Sequence, residues 1–304
     1  MAVKSPAKAA LLAVMNNPAP DPVLAAPAAT SSYVPPVAER PLPPRIRHIG
    51  TVNWIGLWAL YRKEVSRFLV VYNQTLAAPL VTTLLFLAVF TLALGRGASV
   101  VEGVPFTLFL APGLIMMSMI QNAFANSSSS IVSSKMQGNI VDVLMAPLTP
   151  FEQTMGYALG GMTRGLLVGC VVAGAMELFV GLTVHNVAIL LFYAVGATLM
   201  LSLLGVAGGV WSQKHEQMSM VSNFIITPCA FLSGTFYSID RLPGLWNLAA
   251  HLNPFFYLID GFRYGLIGLT EGNLAIGAAV VVFANMALWG LCHWMFASGY
   301  RLRA

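Results

Sequence analysis

The sequence predicts an all-α integral membrane protein: six transmembrane helices, an N-terminal interfacial helix, a short cytoplasmic helix and an outer re-entrant hairpin. Three observations carry this. Of the 304 residues, 57% are hydrophobic and only 9% charged, and the mean hydropathy is +0.75, well above soluble domains of ordinary composition. The apolar residues gather into runs close to the roughly 20 residues that cross a hydrocarbon core. Lysines and arginines flank those runs, which is a pattern of membrane topology. The net charge of +5 comes without a basic stripe interleaved with aromatics, so nucleic acid is not an expected partner.

Residues 1–47 are rich in Ala and Pro (PAPDP, YVPP, RPLPPR). Such a composition has little apolar surface to bury and disfavours helix and sheet, so a disordered cytoplasmic tail is expected, followed by a membrane domain over 48–304. The run AALLAVM sits at the lower length limit of a signal-peptide core and is poorly flanked, so no cleavage is expected. Next, NWIGLWALYRKEVSRF places Trp54, Trp58, Tyr61, Val65 and Phe68 at helical spacing, with Arg62, Lys63, Glu64 and Arg67 as polar neighbours. Tryptophans ahead of the charges suit a helix lying in the interface.

Spans are expected at about 70–94, 105–126, 154–182, 187–211, 218–237 and 273–297. An even number of crossings with a cytoplasmic N-terminus puts thirteen of the sixteen lysines and arginines inside and leaves Arg96, Arg241 and Arg263 outside. Both termini are then cytoplasmic. Between spans two and three, KMQGNIVDVLMAPLTPFEQTMG (residues 135–156) is amphipathic. Met136, Ile140, Val143 and Leu144 fall on one face of a short helix, which Pro147 ends. Thr149, Pro150 and Glu152 form a T-x-x-E capping box with an N1 proline, an abrupt start to span three. Residues 234–272 are apolar but broken at Pro243, Gly244 and Asn253-Pro254, which favours two short re-entrant helices on the outer side.

No phosphate-binding loop, nucleophile elbow or H-E-x-x-H pair occurs, and Cys170, Cys229 and Cys292 each stand alone. The chain is therefore not expected to be an enzyme, and no metal site is expected. Charges inside spans are costly and bear on function. Glu177 either snorkels or lines a polar path with the aromatics Phe224, Phe231 and Phe236, and Arg164 reaches headgroups or a partner. Asp260 and Arg263 are expected to pair. Gly156, Gly160, Gly161, Gly165 and Gly169 give a small-xxx-small pattern for close packing within the bundle or across a dimer seam. The polar run 121–130 (QNAFANSSSS) closes span two and either bonds to its own backbone or lines an inner vestibule.

Together these pieces resemble the ABC-2 type transport permeases, membrane subunits of bacterial ATP-binding-cassette exporters, over about residues 50–300. The loop GNIVDVLMAPLTPFEQTMG carries the resemblance at Gly138, Asp142, Leu144, Pro147, Leu148 and Gly156. The later run carries it at Phe231, Ser233, Gly234, Leu242, Pro243, Asn253, Pro254, Asp260, Arg263 and Gly268. Lys135, Met136 and Gln137 depart from the charged or acidic residue that often precedes the family's Gly138 position. The resemblance implies a permease homodimer in the inner membrane, working with two separate ATPase subunits that bind ATP and Mg, and no cofactor on this chain. It implies a coupling helix formed by Gly138, Ile140, Asp142, Val143, Leu144, Pro147 and Leu148, and export of a lipophilic, lipid-linked or glycan-type substrate. The alternative, an ion-gradient-driven secondary transporter, calls for inverted repeats and mid-span acids that are not evident.

Overall fold

The computed structural model describes residues 50–94, 100–101, 103–239 and 243–302. The expected tail at 1–47, and Leu242, Arg96 and Arg241, lie outside the described residues. Helix α1 (Trp54–Val70) leads through a π turn (Asn73–Ala77) into α2 (Ala78–Leu94). Strands β1 (Val100–Val101) and β2 (Val104–Pro105) pair antiparallel, with Val101 opposite Val104. This small pair is the one departure from an all-α fold among the described residues. Then come α3 (Phe106–Met136), α4 (Ile140–Met145), α5 (Pro150–Val180) and α6 (Val187–Trp211). Helix α7 (His215–Val221), a π turn (Ser222–Ile226) and α8 (Thr227–Leu232) run on continuously. The chain ends with α9 (Leu245–Leu252), α10 (Pro254–Ile267) and α11 (Leu274–Ser298).

Five helices among the described residues are long and apolar enough to cross a membrane: Asn73–Ala93, α3, α5, α6 and α11. The expected span five, 218–237, is a three-piece helix that stops at Leu232. His215, Glu216 and Gln217 dilute its first turn, and Ser233 and Gly234 (φ +74°) turn the chain. Span two runs ten residues beyond its expected end, because its serines find partners inside the helix. Ser128 Oγ donates to the Phe124 carbonyl at 2.8 Å and Ser127 Oγ to that of Ala123; such bonds let hydroxyls sit in a helix interior.

Helix α3 is the buried axis of the molecule, with Phe109, Leu110, Ile115, Met116 and Ile120 inaccessible. Helices α5, α6 and α10 pack around it, and α2 and α11 lie outermost and expose most of their surface. The glycines of α5 serve this packing within the chain. A methyl group on Gly156 would stand 2.6 Å from Leu60 Cδ2, and one on Gly160 would stand 2.5 Å from Glu64 Cβ. At Gly161 it would collide with the hydroxyls of Ser127 and Ser202, and at Gly165 it would approach Thr198 Cγ2 at 2.8 Å. Small residues let helix backbones approach closely.

Candidate functional site: the joint between spans two and three

Gly138 (φ +76°) turns the chain out of α3 into the six-residue helix α4. Of the apolar face expected from the spacing, Met136 is exposed, and the rest packs against the chain itself. Ile140 is 6% exposed and joins Leu60, Tyr157, Val206 and Phe296 in a core cluster, against which Val143, Leu144 and Leu148 also pack. A six-residue helix cannot leave a full apolar stripe in water while an apolar surface lies beside it. The free face is Val141, Asp142 and Met145, with Met145 80% exposed. Pro147 is exposed as well.

The capping box forms as expected. Thr149 Oγ1 accepts from the Glu152 amide at 3.3 Å, and Glu152 Oε2 accepts from the Thr149 amide at 2.7 Å. The other oxygen of Glu152 accepts from the backbone amide of Asn53, and Asn53 Nδ2 donates to the Pro147 carbonyl at 3.0 Å. Asn53 Oδ1 in turn caps α1 through the Gly56 amide at 2.9 Å. One carboxylate thus ties the starts of two helices together. The link from Asn53 to Glu152, 99 residues away, has no local signal in the sequence.

Helix α1 continues this contact along α5. Its buried residues are Leu57, Leu60, Glu64 and Phe68, whereas Trp54 and Trp58 are exposed. The expected stripe is therefore split, its tryptophans facing outward and Phe68 inward, and Glu64, read as a polar neighbour, is fully buried. Ser130 Oγ donates to Glu64 Oε1 at 2.7 Å, and Arg67 Nη2 donates to Asn126 O at 2.7 Å and to its Oδ1 at 2.9 Å. Arg67 also pairs with Glu64 at 3.4 Å. The polar run of α3 is thus the seat of the α1 charges, a role that sequence reasoning missed. At the end of α3, Lys135 Nζ donates to the carbonyls of Val210 and Ser212. It caps terminal carbonyls where α6 ends, a favourable place for a cation.

Between residues 243 and 267, α9 and α10 are separated at Asn253-Pro254. Asn253 Oδ1 accepts from the Phe255 amide at 3.1 Å and its Nδ2 donates to the Cys229 carbonyl at 2.6 Å. Gly244 has φ +43° and Pro243 precedes it. The expected Asp260–Arg263 pair is replaced by two separate contacts. Asp260 accepts from the amides of Glu271 and Gly272 and from Thr270 Oγ1. Arg263 pairs with Glu271 at 3.4 Å, donates to the Gly234 carbonyl at 2.6 Å and lies 4.0 Å over the Phe109 ring. Separation by three residues on a helix let the two side chains meet, but the amides of the following loop reach Asp260 with better geometry. Glu271 was not expected to take part.

Of the four residues expected along a substrate path, Phe231 and Phe236 meet, while Phe224 and Glu177 stand apart from them on the surface. Phe231 stacks on Phe236 at 4.9 Å, and Phe236 on Phe90 at 4.4 Å. Phe224 is exposed, as is Glu177 in the last turn of α5.

Comparison with known proteins agrees with this architecture. The family model described as "ABC-2 type transporter" matches residues 56–267. The chain belongs to the ABC-2 type transporter family. Inner membrane transport permease YadH of Escherichia coli (strain K12) is 36% identical over 251 residues, covering 83% of this chain and 98% of the relative. Nodulation protein J of Rhizobium leguminosarum bv. viciae is 25% identical over 240 residues, covering 76% and 89%. The Sinorhizobium fredii (strain NBRC 101917 / NGR234) protein of the same name is 26% identical, covering 77% and 89%. The joint described above, 135–156, falls inside the matched ABC-2 region.

Proposed function

We propose that this chain is the permease subunit of an ATP-binding-cassette exporter in the bacterial inner membrane. Two copies work with two ATPase subunits, which hold ATP and Mg and carry out hydrolysis. Membership of the family and a relative named an inner membrane transport permease support this reading. In it the segment His215–Leu232 completes six crossings, both termini are cytoplasmic, and the cargo is lipophilic, lipid-linked or glycan-bearing.

The observation that carries the coupling assignment is the exposed face of α4, Val141, Asp142 and Met145, mounted on a stiff joint. Closure of the ATPase dimer presses on this face. Ile140 anchors α4 to the core, and Pro147 and Pro150 restrict the backbone on either side of the Thr149 cap. Because Glu152 holds the first amides of both α1 and α5, the push moves those two helices as one lever.

The test is co-purification of an ATPase subunit with the tagged permease from its host membranes. Asp142→Arg and Met145→Glu are expected to abolish association while leaving the melting temperature of the permease within a few degrees. Ile140→Asp is expected to lower permease yield and stability instead. Undiminished ATPase association in both surface variants would sink the assignment.

A further inference from the structure

A cleft of about 450 Å³ opens between the π turn, α2 and α3, with Arg164 of α5 at its wall. Its mouth is formed by Gln74, Ala78 and Thr82, which are exposed at i, i+4 and i+8, and its floor by buried Thr75, Thr83 and Ser118. Phe86 and Leu114 supply an apolar part. The cleft is therefore amphipathic in itself, and its volume lies within the ~300–1,000 Å³ typical of small-molecule sites.

Arg164 is the charged group facing this cleft. It lies fourteen residues past Pro150 in a 31-residue helix, about 21 Å along the axis at 1.5 Å per residue. A cation at that depth is expensive without a counter-charge. Among the described residues the ion pairs are Arg67–Glu64 and Arg263–Glu271, and neither involves Arg164. Its hydrogen bond is from Nη2 to Asn122 Oδ1 at 3.1 Å, and its buried Nε makes none. Asn122 is itself fixed by its Nδ2, which donates to the Ser118 carbonyl at 3.0 Å. The guanidinium is thus held in place, with donors in reserve, on the wall of a partly polar cleft. The π turn that brings Gln74 and Thr75 to the cleft is of a type often found at functional sites.

We propose that this cleft binds an anionic amphiphile, its phosphate or carboxylate on the Arg164 guanidinium and its apolar tail along Phe86 and Leu114. A planar guanidinium pairs with such groups through two parallel bonds. The anion comes from a membrane phospholipid or from the cargo itself, since both present the same chemistry.

The full-length protein, purified in detergent, is titrated with dioctanoyl phosphatidylglycerol, dioctanoyl phosphatidylcholine and inorganic phosphate, with binding read by native mass spectrometry. Phosphatidylglycerol is expected to bind at least tenfold more tightly than phosphatidylcholine. Arg164→Gln abolishes that preference and Arg164→Lys keeps much of it. Thr82→Trp, at the exposed mouth, blocks binding with the melting temperature unchanged, so the test does not hang on the fold of the Arg164 variant. Equal affinity for the two lipids, phosphate binding as tightly as the amphiphile, or phosphatidylglycerol binding untouched by Thr82→Trp would each overturn the proposal. Mass spectrometry of what co-purifies with wild type but not with Arg164→Gln separates the sources: a phospholipid marks a resident lipid and any other anion marks cargo, and either fulfils the proposal. No ATPase subunit is needed, so failure here leaves the permease assignment standing.

Discussion

Arg263 draws several distant parts of the chain together. It is 1% exposed, pairs with the equally buried Glu271, donates to the turn at Gly234 and covers the Phe109 ring. A buried ion pair gains little over apolar packing as a whole, but removing one partner strands the other charge. Arg263→Ala is therefore expected to cost about 3–5 kcal/mol, read as a fall in melting temperature in detergent. The double variant Arg263→Met with Glu271→Gln is expected to cost much less than the two single changes summed, since the two groups act as one unit. A strictly additive double variant would show that the pair is not what holds the loop that follows α10. At the same scale, Glu152 illustrates why sequence reading stops short. Its capping box is a local pattern over four residues, but its second contact, to the Asn53 amide, is set by how α1 docks.

Between elements, the seam of α1 and α5 is the contact that the coupling reading depends on. The pairs Leu60 with Gly156 and Glu64 with Gly160 advance together along both helices, and Gly56 meets Leu148 just ahead of α5. At Gly160 the opposing atom is Glu64 Cβ, which is fixed to its backbone and cannot swing away. Gly160→Ala is therefore expected to separate the helices, lowering stability and the coupling of ATP hydrolysis to transport. Gly174→Ala, with nothing within 4 Å, is expected to be close to neutral in the same assays. Equal behaviour of the two variants would argue against close packing at this seam. The glycine spacing was visible in the sequence; which surface it met was not, because a small-xxx-small run looks the same in a bundle core and in a dimer seam. The same holds for α4, where the heptad-like spacing of Ile140, Val143 and Leu144 defined an apolar face without saying what covers it.

For the whole molecule, the open quantity is the number of crossings. Five described helices are long and apolar enough, and the reading of six rests on His215–Leu232. Cysteines placed singly in a background with Cys170, Cys229 and Cys292 replaced by serine, then treated with a membrane-impermeant maleimide on spheroplasts, measure this directly. Lys214→Cys is expected to stay unlabelled and Trp246→Cys to label, and Gln137→Cys and Val184→Cys are expected to divide the same way across α5. The same outcome for Lys214→Cys and Trp246→Cys, both unlabelled or both labelled, would mean that the segment does not cross.

The sequence by itself determined the membrane class, the order of the helices, the capped start of α5 and the family signatures, because these are written in composition and in spacings of a few residues. Tertiary structure alone decided which face of each amphipathic helix is free, where Arg263 and Glu64 find their partners, and that Arg164 stands at a cleft. Those outcomes depend on groups brought together from distant parts of the chain, where backbone amides and serine hydroxyls compete for each charge, and no local spacing records which of them wins.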